Sequence, residues 1–227
     1  MSAANAGAHN AIYRGKYLGN TITQAQYDVI AAGTFDDLFV GDYWTINEFN
    51  FRIAAFDYYY GTGSHPFNKH HVVIVPDTVL GTAVMNDTET TAGGYVNTRM
   101  RSFFLGYAWQ LIPAYLGDHL LTHEDYLTTE YYGGYGQWYE GTIELMTEQN
   151  VYGTAIYGNS NQPCRTVNNS QYPLFRFRPD LIRDPTTNYW LRDIASVTEF
   201  AMVCTLGNCD KASANENLGI RPSFAIG

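Results

Sequence analysis

The sequence predicts an α+β fold of short antiparallel strands, two or three short helices and long structured loops. Three observations predict it. Apolar and polar residues alternate in short stretches, the period of a strand. Phe49, Phe51 and Ile53 do so around Asn50 and Arg52, and Phe200, Met202 and Cys204 around Ala201, Val203 and Thr205. Aromatics are abundant, with 19 Tyr, 12 Phe and 4 Trp, which suits strands and also contact surfaces. The 21 glycines fit a turn-rich chain. A length of 227 residues can bury a sizeable core, and no repeat or linker divides it. Residues 16–227 therefore read as one domain. Residues 1–15, small and polar, read as a flexible or partner-docked arm serving attachment or oligomerisation.

In chain order, Thr23 to Ala32 reads as a helix. Thr23 and Gln26 form a capping box and Gly33 is the stop. Gly41-Asp42 is a turn, and Phe49 to Ile53 a half-buried strand. Tyr58, Tyr59 and Tyr60 run into a glycine loop. Val72 to Val75, closed by Pro76, is a short buried strand. Asn97–Leu105 and Ala108–Leu116 read as helices broken near Gly106 and Pro113. Residues 119–127 read as a strand and turn, 128–141 as a second Tyr/Gly-rich loop, and 158–173 as a long irregular segment.

The formal net charge of −9 argues against nucleic acid and against an anionic membrane surface as partners. No apolar run is long enough to span a membrane, and the first residues lack a secretory apolar core, so synthesis in the cytoplasm is expected. The sequons at Asn86 and Asn168 are accidental on that reading. Three cysteines, Cys164, Cys204 and Cys209, are too few for a disulfide framework. Whether Cys204 and Cys209 pair across a hairpin is left open by the sequence.

Catalytic patterns are sparse. There is no nucleophile elbow, phosphate-binding loop or dinucleotide fingerprint. His119 and His123 stand four apart and could share a helix face, but Leu120 follows where a metalloprotease needs its glutamate. His65, His70 and His71 crowd together without further ligand spacing. Asp36/Asp37, Asp57 and Glu144/Glu148 fit a solvated face as well as a carboxylate pair. No metal, cofactor or catalytic residue is expected, and the chain reads as a binder.

The last forty residues carry the sharper signal. An apolar frame, Tyr189-Trp190-Leu191 at one end and Ile220, Pro222, Phe224 and Ile226 at the other, encloses the mixed, small and polar stretch Cys204 to Asn217. A stiff frame around a chemically arbitrary insert is how a binding surface is built. Arg192 and Arg221 lie inside the frame, so buried guanidinium groups held by carbonyls or a carboxylate are expected.

Tyr-Trp-Leu-Arg at 189–192 and Gly-Ile-Arg-Pro-Ser-Phe-Ala-Ile-Gly at 219–227 resemble the end of the C-type-lectin-like fold in its formylglycine-generating-enzyme-like branch. They look most like the variable proteins of diversity-generating retroelements, many of them carried by phages. Residues 41–61, 70–78, 144–153 and 174–182 carry the resemblance over most of the chain. The resemblance implies a C-type lectin-like domain with a variable ligand-binding region near 190–227 on a frame including Trp190, Arg192, Arg221 and Pro222.

In such proteins adenines of Asn codons are randomised, which cannot yield Met, Lys, Glu, Gln or Trp. Glu199, Met202, Lys211 and Glu216 are poor candidates on that ground. Ile194, Val197, Thr198, Cys204, Thr205, Leu206, Asn208, Cys209, Asn215 and Asn217 are the plausible variable positions. The implied partners are a host-surface protein or glycan and other virion proteins, in a homo-oligomer for which a trimer is possible, on a phage tail or capsid. The calcium-lectin motifs are absent: Gln162-Pro163 is followed by Cys164, and Trp190 by Leu-Arg-Asp. The enzymes of the branch rely on a copper-binding cysteine pair; only Cys204 and Cys209 could play that part, and they sit in the stretch expected to vary, so a formylglycine-generating-type enzyme is the weaker reading. A structural capsid or tail decoration protein is the alternative.

Overall fold

Thr23 starts the first long helix as its capping box requires. Its side chain accepts from the Gln26 N–H, and the Gln26 side chain accepts from the Thr23 N–H. The computed structural model describes residues 5–131, 136–158, 168 and 170–227. The helices are α1 (Ala6–His9), α2 (Gln24–Ala31), α3 (Gly106–Leu116), α4 (Glu148–Tyr152) and α5 (Pro173–Phe177). The strands of the first half are β1 (Tyr17–Gly19), β2 (Tyr43–Ile46), β3 (Phe49–Phe56), β4 (Val72–Pro76) and β5 (Gly81–Ala83). Then come β6 (Leu120–Leu121), β7 (His123–Thr128), β8 (Gly136–Gly141) and β9 (Ile143–Leu145). The closing strands are β10 (Tyr189–Ile194), β11 (Glu199–Val203), β12 (Cys209–Ser213), β13 (Leu218–Ile220) and β14 (Pro222–Ile226).

The chain is α+β, mostly sheet. One sheet runs β1-β2-β3-β4-β14-β6, with β9 also on β14; a second runs β12-β11-β10-β13-β5; β7 and β8 form a hairpin. Most pairs are antiparallel, but β1–β2 and β10–β13 are parallel. The chain passes between the two larger sheets at Arg221, between β13 and β14.

The second sheet is covered on both faces. Tyr189, Leu191, Ala201 and Val203 join the main core. Trp190, Ile194, Phe200 and Met202 join a smaller one. The alternation along β10 and β11 thus separates two cores rather than core from solvent. β3 departs from expectation in the same way: from Phe51 to Phe56 every residue is buried. Arg52 is tolerated there because its Nε donates to Asp77 Oδ1 at 2.7 Å and its Nη1 to the Gly41 carbonyl at 2.6 Å.

Other expectations are corrected. Residues 95–97 and 100–104 form a 3₁₀ turn and a π-helical turn rather than one α-helix, and α3 runs through Pro113. Half of the second Tyr/Gly-rich loop is β8, paired with β7 from His123–Gly141 to Thr128–Gly136. The 158–173 stretch lies mostly outside the described residues, including Cys164. Residues 5–14 do not stand clear of the domain. The Asn10 side chain donates to the Phe56 carbonyl and accepts from the Phe56 N–H, completing the end of β3. The His9 ring packs on Phe35, Phe39 and Phe56. Arg14 and the Lys16 N–H bind the buried Asp42. Gly41, at φ +88°, admits this docking: a Cβ there would lie 2.1 Å from the Tyr13 ring. Among the described residues no helix is long and apolar enough to cross a membrane.

Candidate recognition surface

The C-terminal frame is rigid for stated reasons. Trp190 is fully buried and its indole N–H donates to the Ala83 carbonyl at 2.9 Å, tying β10 to β5. Arg221, 1 % exposed, donates to three carbonyls: Pro76 from Nε at 2.9 Å, Ile182 from Nη1 at 2.8 Å and Leu181 from Nη2 at 2.9 Å. Pro222 is buried and opens β14 opposite Leu145. Arg192 is 6 % exposed and donates from Nη1 to Asp125 Oδ2 at 2.9 Å. Burial works against the Arg192 charge, but Asp125 more than restores it. Burial likewise pushes the Asp125 carboxyl up, and Arg192 and His123 outweigh it, holding that carboxyl below the usual range.

The ten candidate positions do not form one patch. Ile194 is 4 % exposed and belongs to the smaller core, so it is not placed to touch a ligand. Val197 (69 % exposed) and Thr198 lie in the β10–β11 turn. Asn215 and Asn217, both exposed, lie in the β12–β13 turn at the same end, where the Ala214 N–H donates to the Thr198 carbonyl. Cys204, Thr205, Leu206 (77 % exposed) and Asn208 form the β11–β12 turn at the opposite end, with Cys209 opening β12. The five residues of β11 put the two groups about 17 Å apart.

Val197, in the first group, borders a recess. A groove of about 460 Å³ is lined by Val197, by Thr90, Thr91 and Ala92, and by Thr129, Glu130 and Tyr131 at the end of β7. Its walls are tied to the β10–β11 turn: the Thr91 N–H donates to the Val197 carbonyl, and its hydroxyl to the Ser196 carbonyl.

Cys204 and Cys209 are free. Cys209 stands opposite Val203 in the ladder and packs on the main core, while Cys204 packs on the smaller one. Neighbouring residues of a strand point to opposite faces, so the two thiols do not converge. A copper-binding cysteine pair does not fit these residues.

Several polar groups are more deeply buried than the sequence suggests. Glu144 is buried, accepting from Tyr95 Oη at 2.7 Å and Arg101 Nε at 2.9 Å. Glu148 is fully buried and accepts from the N–H groups of Ile156, Tyr157 and Gly158. Neither sits on a solvated face. The Glu148 N–H donates to Asp193 Oδ2 at 2.7 Å. Burial, then the Glu148 carboxylate, raises the Asp193 carboxyl to about 7. Burial and Glu148 also raise the Cys209 thiol. Asp193 and Asp125 escaped the sequence reading. The signal for Asp193 was its place in Tyr-Trp-Leu-Arg-Asp-Ile, a carboxylate inside an apolar strand.

The histidines are spent separately. His70 bonds Asp57 Oδ2 at 2.8 Å, and His71 Nε2 accepts from the Tyr59 N–H. His119 stacks on Tyr27 at 3.4 Å and His123 on Tyr59 at 3.6 Å. His119 closes a 3₁₀ turn and His123 opens β7, so they share no helix face. No family model matches the chain, and no curated protein or solved structure does.

Proposed function

We propose that this chain is a ligand-recognition protein with a C-type-lectin-like domain, displayed on a phage virion and diversified in its C-terminal region by a retroelement. One observation carries the reading. Val197, Thr198, Asn215 and Asn217 sit in adjoining turns, beside a groove, on a sheet buried on both faces. Turn residues can change without disturbing either core. The ligand is a host-surface protein or glycan met by shape complementarity, and several copies in one oligomer raise the avidity.

The first test is genetic. A near-copy of the codons for residues 190–227 beside the gene, differing only at adenines, with a reverse transcriptase nearby, supports diversification. Its absence removes that part of the reading. The second test is binding of the purified protein to intact host cells. Val197→Arg should abolish attachment while Leu206→Arg, at the far end of β11, leaves it intact; the reverse result overturns the assignment of the surface.

A structural virion role has its own support. Phe103 and Tyr115 are exposed. A groove of about 660 Å³ lies beside the edge strand β5, lined by Phe103, Phe104, Leu80 and Ile220. Burial of such apolar surface against another subunit is ordinary interface chemistry. Wild-type attachment by Val197→Arg and Asn215→Arg, with assembly lost in Phe103→Asp, would favour it.

A further inference from the structure

The loop from Asp57 to His71, between β3 and β4, is fastened at its root by an imidazole. His71 is fully buried. Its Nε2 accepts from the Tyr59 N–H at 3.0 Å, and its Nδ1–H donates to the Lys69 carbonyl at 2.9 Å. Those two bonds fix the neutral form with its proton on Nδ1. A second proton would sit on Nε2, facing the Tyr59 N–H, and that bond would be lost. Asp57 closes the same root. Its backbone is left-handed, at φ +50°, which a residue other than glycine keeps only where its surroundings hold it there. The His71 N–H donates to Asp57 Oδ1 at 2.9 Å, His70 Nδ1 bonds Oδ2 at 2.8 Å, and the Asp57 N–H donates to the His71 carbonyl.

The surroundings offer a charged His71 little. Asp57 Oδ1 stands 3.8 Å from its Nδ1, but that carboxylate already accepts from His70 and from the His71 N–H. Phe67 meets the ring edge-on at 5.3 Å, and Tyr59 stacks on it at 5.7 Å. His70 is its neighbour in the chain, and His123 of β7 stacks on Tyr59 at 3.6 Å; in acid both add positive charge. Asp125 and Arg192, which act on Tyr59 from the other side chains around it, pair with each other. Burial outweighs the Lys69 carbonyl and Asp57 and holds the His71 imidazole down at about 4, against an ordinary 6.5. The turn held in this way anchors more than itself. Tyr58 Oη donates to the Ser170 carbonyl, and Asn168 Nδ2 donates to the Tyr58 carbonyl. Tyr59 Oη bonds Tyr172 Oη at 3.0 Å.

We propose that His71 is an acid-released latch: a proton on Nε2 breaks its bond to Tyr59, frees the turn from Asp57 to Thr62, and loosens the segment at 168–170 tied to Tyr58. Both ring nitrogens are inside the protein, so the proton enters only when the loop opens. The open population then rises as pH falls from 6.5 toward about 4, by about twentyfold between pH 6 and pH 4.5. The latch stands apart from the recognition reading and uses none of its turn positions.

The test is amide hydrogen exchange on the full chain, followed by NMR across that pH range. Global unfolding sums every titration in the chain, so the readout is local: the protection of the Tyr59 amide, corrected for the intrinsic pH dependence of exchange. It should fall about twentyfold from pH 6 to pH 4.5, and amides of the β10–β11 ladder should not follow it. His71→Gln carries an amide oxygen in place of Nε2 and takes up no proton, so it should keep the Tyr59 amide protected and its profile flat. If that variant does not fold, the wild-type imidazole spectra decide. His71 should hold the neutral Nδ1–H form at pH 6, and its protonation should coincide with the loss of Tyr59 protection. A Tyr59 amide whose protection ignores pH in the wild type overturns the proposal. So does the same pH dependence in His71→Gln, or a His71 that titrates near its ordinary value while the Tyr59 amide stays protected.

Discussion

Replacing Arg221 with methionine tests the frame directly. The side chain is buried, and its fork donates to the carbonyls of Pro76, Leu181 and Ile182. Among the described residues no carboxylate pairs with it directly; Tyr189 lies under the guanidinium, 5.2 Å from the ring centroid. Methionine fills similar space and donates nothing. The Ile182 carbonyl keeps the Tyr189 hydroxyl as a donor, but those of Pro76 and Leu181 lose the guanidinium, at about 1–3 kcal/mol each, or roughly 2–6 kcal/mol together. Removing a desolvated cation returns part of that, leaving a loss of roughly 2–4 kcal/mol. For a chain of this size each kcal/mol moves the thermal midpoint by about 2–4 °C, so a drop of about 10 °C is expected. Urea unfolding followed by tryptophan fluorescence, with the slope compared to wild type, measures it. Arg221→Lys should lose most of the same amount, because one ammonium cannot span three carbonyls held in a fork. A loss below about 1 kcal/mol in Arg221→Met at unchanged slope would refute the reasoning. A lysine variant as stable as wild type would show that charge, not fork geometry, is what matters.

Three further outcomes are expected. Asn10→Ala should lower stability by about 1–3 kcal/mol, because both backbone groups of Phe56 lose their partner; unchanged urea unfolding would return residues 5–14 to the status of a free arm. Asp193 has a folded value of about 7 against an ordinary 3.8, so the folded chain holds the extra proton between about pH 4 and pH 7. Stability should therefore fall as pH rises through that window, and Asp193→Asn should flatten the profile; a wild-type profile in the variant counts against it. Because Cys204 and Cys209 are free on opposite faces, Cys204→Ser should leave the thermal midpoint insensitive to reductant, as in wild type. A reductant-dependent midpoint in wild type that Cys204→Ser abolishes would reveal a bond between them.

Much of the local structure was legible because local chemistry decides it. Thr23, Gln26 and Gly33 bound a helix through hydrogen bonds spanning a few residues. Val72 to Val75 form a strand in any apolar setting. Arg192 and Arg221, set among Trp, Leu, Ile and Pro, had to be buried and therefore partnered. The partners themselves were not legible. Arg192 meets Asp125 from 67 residues away, and Asp193 meets the start of α4 from 45 away. No periodicity encodes such distances.

By itself, then, the sequence determined the α+β class, the helix caps, the alternating strands of the tail and the burial of its frame. Each of these follows from neighbours along the chain. The tertiary structure alone decided that both faces of β10 and β11 are covered, so that their alternation runs between two cores. It decided that Cys204 and Cys209 point apart and that residues 5–14 complete the end of β3. It also decided that the candidate positions fall at two ends of β11 rather than on one face. The reason is common to all four. Each depends on which strand lies beside which, and that is settled by contacts between segments far apart in the chain.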